Sequence, residues 1–262
     1  MSEANIHENP GGVSPARKEP HHLRRVLTIW AVLSIIGVAV WLVLAPLLQP
    51  VFASEVGVFD ATTVLVFTAL AIPVALFVWV FFAYSLIVFR VKERPAEDGV
   101  HLQPSPLLQI GWLGITGALC LFLIVWGLFG YYKETTTAAS NALVVQVTGQ
   151  QWLWSFSYPQ YGVPSQGQPL TVLELPVNRP VVFQVTSKDV LHGFTVRALG
   201  IRIDANPGEV VTLPAMTPTR VGVYPIDCVE FCGLNHSYMR STVSIVDASS
   251  FNNWIKSQGG HI

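Results

Sequence analysis

Three stretches without one Asp, Glu, Lys or Arg, at residues 26–54, 61–89 and 102–132, dictate what this chain can become. A helix rises about 1.5 Å per residue, so each stretch can cross the roughly 30 Å hydrocarbon core of a bilayer. No water-soluble fold of this length buries so much uninterrupted apolar sequence. With 51% hydrophobic and only 12% charged residues, composition points the same way and to the same class, a membrane protein. A formal net charge of −1 leaves no basic footprint for nucleic acid, and that partner class is excluded.

The pattern predicts transmembrane helices over about 26–49, 61–89 and 106–132. Residues 1–25, rich in Pro, Gly, Asn, Glu and His, read as a disordered leader with a basic end. Arg17, Lys18, Arg24 and Arg25 precede the first span, and Arg90, Lys92 and Arg94 follow the second, whereas Glu55 and Asp60 separate the first two. The positive-inside rule therefore places the leader and the 90–105 loop in the cytoplasm and everything after Tyr132 outside the cell membrane. One competing reading concerns the first span. Val51-Phe-Ala53 ahead of Ser54 fits a signal-peptidase site, so 26–53 could be a removable export signal. The length of the apolar run and of its leader favours a retained helix.

Texture changes from Asn141 onward. Residues 143–147, 152–158, 181–185, 194–196, 210–213 and 243–246 alternate apolar and polar and are separated by Pro- and Gly-bearing turns, the pattern of strands in one small Greek-key β-sandwich. The expected architecture is membrane α plus all-β, with residues 26–132 helical and 133–262 forming an extracytoplasmic sandwich. Residues 251–256 read as a short amphipathic helix.

Chemistry concentrates in Cys228-Val-Glu230-Phe-Cys232-Gly-Leu-Asn-His236-Ser-Tyr-Met239. Thiolate and thioether sulfur are soft donors that favour copper, and a zinc site of Cys and His would leave Met239 idle. A mononuclear blue-copper site needs one Cys, whereas here a second stands four residues on; two thiolates can bridge two metals. His192, on a strand-like run upstream, is the natural further nitrogen donor. Two plainer uses compete. A close Cys pair in an exported domain can form a structural disulfide, and zinc can take the Cys and His residues. Both leave part of this set unused.

Asp189-Val-Leu-His192, Leu199-Gly-Ile-Arg-Ile-Asp204-Ala-Asn-Pro207-Gly208 and Cys228-x-Glu230-x-Cys232-Gly-x-x-His236-x-x-Met239 together resemble subunit 2 of the haem-copper cytochrome c oxidases, over most of residues 60–247. The resemblance implies a cupredoxin-like domain carrying CuA, a binuclear copper centre. Its ligands would be His192, Cys228, Cys232, His236, Met239 and the backbone carbonyl of Glu230. The Glu230 carboxylate would help hold magnesium at the border with subunit 1. Trp152, in Gly149-Gln-Gln-Trp152-Leu-Trp154, would receive electrons from cytochrome c. The partners implied are subunit 1, other oxidase subunits and the lipid membrane, and the activity is that of a cytochrome c oxidase.

Some positions depart from the family pattern. Gln109 stands where many members carry a Glu at the mouth of a proton channel, and Gln carries no proton charge. Arg240 follows Met239 in place of Pro, and Arg197 follows Val196 in place of Pro. The domain from Asn141 onward balances seven acidic against seven basic residues, so no acidic face awaits a basic donor. Three alternatives accompany the oxidase reading. A quinol-oxidising relative would lack the copper ligands, a CuA-bearing nitric oxide reductase would share them, and a membrane-anchored copper-delivery protein would need exposed, exchangeable ligands.

Overall fold

A computed structural model describes residues 21–90, 105–135, 141–164 and 170–262. Arg17, Lys18, Lys92 and Arg94, on which the expected orientation partly rests, lie outside them, as does most of the expected leader. Three long helices come first: α1 (His22–Leu48), α2 (Glu55–Val88) and α3 (Pro106–Thr135). All three are long and apolar enough to cross a membrane.

Their bounds differ from the charge-free stretches for physical reasons. α1 starts at His22, four residues early, because Arg24 and Arg25 are good helix formers and their charged heads can reach water from the first turns. α2 starts at Glu55, an acidic residue that suits the positive end of the helix dipole. Ser54 precedes it, and its hydroxyl accepts the Gly57 N–H at 3.0 Å.

Two compact units emerge among the described residues, 21–40 with 69–90 and 41–68 with those from 105 onward. Within the first, α1 and α2 lie side by side: the Trp30 indole donates to the Pro73 carbonyl at 2.8 Å, and His22 Nδ1 lies 2.8 Å from the Tyr84 hydroxyl. Close approach is possible because Gly37 has no side chain to meet Ile72.

Within the second unit, α3 is followed by a two-sheet sandwich. One sheet has the order β2-β1-β4-β7, from β1 (Leu143–Gln150), β2 (Leu153–Ser157), β4 (Val181–Ser187) and β7 (Val211–Thr212). The other has the order β3-β9-β8-β5-β6, from β3 (Leu173–Pro176), β5 (His192–Val196), β6 (Ile201–Ala205), β8 (Gly222–Cys228) and β9 (Arg240–Val246). Strands β1 and β4 pair in parallel, as do β3 and β9; the remaining pairs are antiparallel. Trp154, Phe156, Phe183 and Phe194 fill the space between the sheets. Their alternation along the strands sends one face inward, as the sequence requires.

Ala53 and Ser54 belong to this unit and are fully buried. The Ala53 N–H donates to the Ala198 carbonyl at 2.6 Å, and the Ser54 hydroxyl donates to the Leu199 carbonyl at 2.7 Å.

The chain closes with α4 (Ala248–Ser257), which buries Phe251 and Ile255 against the sandwich. Asp247 caps it, accepting the Ser250 N–H at 2.9 Å and the hydroxyls of Ser249 and Ser250. These bonds hold the Asp247 carboxyl well below the usual carboxylate range. A depressed pKa adds stability that is present above the unfolded-state value and lost as pH falls through the folded-state value. Asp247→Ala is therefore expected to lower the melting temperature at pH 7, with the gap to wild type closing on acidification below the ordinary carboxylate range. Thermal melts followed by circular dichroism check this; a gap independent of pH would contradict the charged cap.

Candidate metal centre

The expected ligands sit at strand ends and in the connection between strands. His192 opens β5, Cys228 ends β8, and Cys232, His236 and Met239 belong to the connection from β8 to β9. That connection cannot wander. The Cys228 N–H donates to the Met239 carbonyl at 3.1 Å, and the Val229 N–H donates to the Gly193 carbonyl at 2.9 Å. The loop is thus tied to β5 on one side and closed on itself at the other.

The six positions converge. Cys228 Sγ and Cys232 Sγ lie 3.8 Å apart as free thiols. Cys228 Sγ is 3.9 Å from His192 Nδ1 and 3.3 Å from the Glu230 carbonyl oxygen. Cys232 Sγ is 3.5 Å from His236 Nδ1 and 3.8 Å from Met239 Sδ. Each sulfur thus faces one imidazole nitrogen and one further donor. His192, Cys228, Cys232 and Met239 are all buried, and among the described residues His192, Cys228 and Cys232 form the cluster able to hold a metal ion. Burial, with Cys228 alongside, pushes the Cys232 thiol up to about 12. Cys232 therefore keeps its proton at neutral pH until a soft cation displaces it.

Asp189 sets the orientation of His192, a role the sequence signals only by placing an acid three residues ahead of the His. Its carboxylate lies 2.9 Å from His192 Nε2 and accepts the N–H groups of Gln151 and Val190, each at 2.7 Å. Burial alone would raise this carboxyl, but the bonds from Gln151, His192 and Val190 outweigh it and hold it at about 2. An ionised carboxylate only accepts, so Nε2 carries the proton and Nδ1 presents its lone pair to the sulfurs.

Two glycines make room for this arrangement. A Cβ on Gly149 would come within 2.9 Å of the His192 ring and 3.1 Å of Trp154; one on Gly193 would come within 3.0 Å of the Glu230 nitrogen. Neither requirement was legible before the ring and the loop were in place.

Trp152 lies half-buried in the turn before β2, and its indole N–H donates to the Cys232 carbonyl at 3.2 Å. Gln151 Nε2 donates to the same carbonyl at 2.8 Å. The Glu230 side chain points elsewhere, 3.6 Å from the Arg202 guanidinium. Arg197 and Arg240, the two departures from Pro, meet on one carboxylate: Asp227 lies 4.0 Å from the first and 3.5 Å from the second. These exposed pairs add little stability but leave a local excess of positive charge beside a 470 Å³ cleft lined by His236 and Met239. Gln109 is on α3, remote in sequence from this cluster.

Apolar helices followed by a cupredoxin-like sandwich with a sulfur-rich cluster of metal-ligand residues define a class, the membrane protein with a cupredoxin-like domain. The family model described as cytochrome c oxidase subunit II, periplasmic domain, matches residues 168–246. Cytochrome c oxidase subunit 2 of Thermostichus vulcanus is 38% identical over 239 residues, covering 71% of each chain. The probable cytochrome c oxidase subunit 2 of Rickettsia felis is 30% identical over 205 residues, and the match spans just under two thirds of that relative, 63%. A crystal structure of the periplasmic domain of subunit II of cytochrome oxidase from Bradyrhizobium japonicum aligns with 46% of this chain and 96% of its own, at 28% identity and a TM-score of 0.41. This chain belongs to the cytochrome c oxidase subunit 2 family.

Orientation of His192 is testable by removing its acceptor. Asp189→Ala is expected to weaken copper binding about 10–100-fold, the usual cost of losing a partner behind a ligand. Competition with a copper chelator measures it, and an unchanged affinity would show that packing alone aligns the ring.

Proposed function

We propose that the chain is the electron-accepting subunit of a terminal respiratory oxidase, taking electrons from cytochrome c and passing them to a haem-copper subunit that reduces oxygen to water with coupled proton translocation. The observation that carries this reading is the convergence of two thiols, two imidazole Nδ1 atoms, a thioether and one free carbonyl around a single buried sulfur pair. Membership of the subunit 2 family supports it.

These residues fit two copper ions. Both sulfurs are free and adjacent, each has a nitrogen and a second donor on its own side, and no carboxylate competes within the cluster. His192, Cys228, the Glu230 carbonyl, Cys232, His236 and Met239 would hold the metal. When bound, copper would supply a one-electron redox couple. The chain's own part is rigidity: backbone bonds from Cys228 and Val229 fix the loop, Asp189 fixes one imidazole, and burial keeps water away from the sulfurs. Little then has to reorganise when charge changes, since preorganised groups lose no energy to realignment.

Trp152 is the assigned point of electron arrival. Its ring is partly exposed, while its N–H is joined to the backbone of Cys232, which gives a short covalent and hydrogen-bonded route from surface to ligand. The balanced charge of the domain fits a donor held chiefly by apolar contact, and Phe231, Leu234 and Tyr238 stand exposed on the ligand loop. For magnesium, Glu230 supplies one carboxylate that already faces Arg202, so such an ion would need to displace that guanidinium and draw its other ligands from a partner chain. Three spans with the sandwich on the extracytoplasmic side of the cell membrane complete the reading. The buried, bonded state of Ala53 and Ser54 supports retention of α1.

Metal analysis and electron paramagnetic resonance of the full chain, loaded with copper, test the centre. Two coppers per chain with one unpaired electron shared between them are expected. One copper with an ordinary signal, zinc, or a Cys228–Cys232 disulfide in a sample kept from oxidants would overturn the reading. Trp152→Phe is expected to leave that signal intact and slow electron uptake from reduced cytochrome c at least about tenfold, equivalent to ~1.4 kcal/mol of barrier. Stopped-flow absorbance measures it.

A further inference from the structure

At the N-terminal end of α1, well away in sequence from the metal ligands, lies a pocket of 520 Å³ shared with the last turns of α2. His21, Arg24, Arg25, Thr28 and Tyr84 supply its polar lining, and Ile29 and Val88 its apolar edge. The composition is that of an amphipathic ligand's site. Two guanidinium groups offer paired N–H donors suited to phosphate oxygens, and the apolar edge continues into the lipid-facing surface, where Ile87 and Leu23 are exposed.

Charge singles this pocket out further. The described residues of the unit, 21–40 and 69–90, contain Arg24, Arg25 and Arg90 and no acidic residue. Among the described residues, neither Arg24 nor Arg25 takes part in any ion pair. The positive end of the α1 dipole is offset here by the negative end of α2, so the two guanidinium groups themselves carry the charge of the pocket. Both helices are long and apolar enough to cross a bilayer, and the pocket stands where their apolar sequence ends, the level at which headgroups are expected. Tyr84 is held in the wall by its contact with His22.

We propose that this pocket binds the phosphate of an anionic phospholipid, with Arg24 and Arg25 on the phosphate and the acyl chains running past Ile29 and Val88. Basic pockets between membrane helices are suited to acidic headgroups by the same chemistry. A free phosphate ion shares the headgroup's chemistry but gains nothing from the apolar edge.

Native mass spectrometry of the full chain in detergent, with phosphatidylglycerol and phosphatidylcholine added in equal amounts, tests the site. Wild type is expected to retain phosphatidylglycerol at least about tenfold better, as two cations predict. Arg24→Gln combined with Arg25→Gln is expected to abolish the preference, and Arg24→Lys combined with Arg25→Lys to keep most of it. A far-UV circular dichroism spectrum unchanged from wild type in each variant shows that the helices have formed. Equal retention of the two lipids by wild type, or an unchanged preference in the Gln variant, overturns the site. Displacement of the lipid by millimolar inorganic phosphate overturns the lipid assignment in favour of the free ion.

Discussion

Two backbone hydrogen bonds, from Cys228 to Met239 and from Val229 to Gly193, hold the part of this molecule on which everything else depends. Five donor side chains on a free loop would scatter, because every residue fixed costs on the order of 1–2 kcal/mol of conformational entropy. The sandwich meets that cost through its core. β8 delivers Cys228, β9 begins directly after Met239, and β5 lies alongside with His192 at its head. The loop is therefore short of freedom at both ends before any metal arrives.

Around that loop the chain is arranged in shells of decreasing necessity. Asp189 decides which nitrogen of His192 faces the sulfurs. Gly149 and Gly193 decide how near the ring and the Glu230 backbone can come. Trp152 and Gln151 share one acceptor, the Cys232 carbonyl, so the same bonds that steady the loop also tie the surface to it. Arg197, Asp227 and Arg240 lie outermost. They occupy neighbouring strand ends rather than neighbouring sequence positions, and the two arginines in place of prolines become one feature only because β5, β8 and β9 are adjacent.

The helical part obeys a different economy. In hydrocarbon each backbone group has to be satisfied within its own helix, which is why long charge-free stretches read so directly as helices. Their ends are less direct. Glu55 and Arg24 look like boundaries if charge is taken to end a span, yet both lie inside helices because a helix end tolerates, and with Glu at its start prefers, such residues.

By itself the sequence determined the class of architecture and the set of candidate donor groups. Hydropathy gave the three long apolar helices, alternation gave six of the nine strands among the described residues, and the spacing of Cys, His and Met within one turn-rich segment marked the candidate site. Strands β3, β6 and β8 escaped it: β3 is four residues long, β6 alternates arginine and aspartate with isoleucine, and β8 carries Gly222 and Pro225. What only the tertiary structure decided was every relation between distant segments: Asp189 as the acceptor for His192, the glycine clearances, the Trp152 link to Cys232, the Arg197–Asp227–Arg240 cluster and the cationic pocket of α1 and α2. The reason is that residue type fixes which bonds a group can make, whereas strand order and helix pairing fix which groups lie within 3–4 Å to make them.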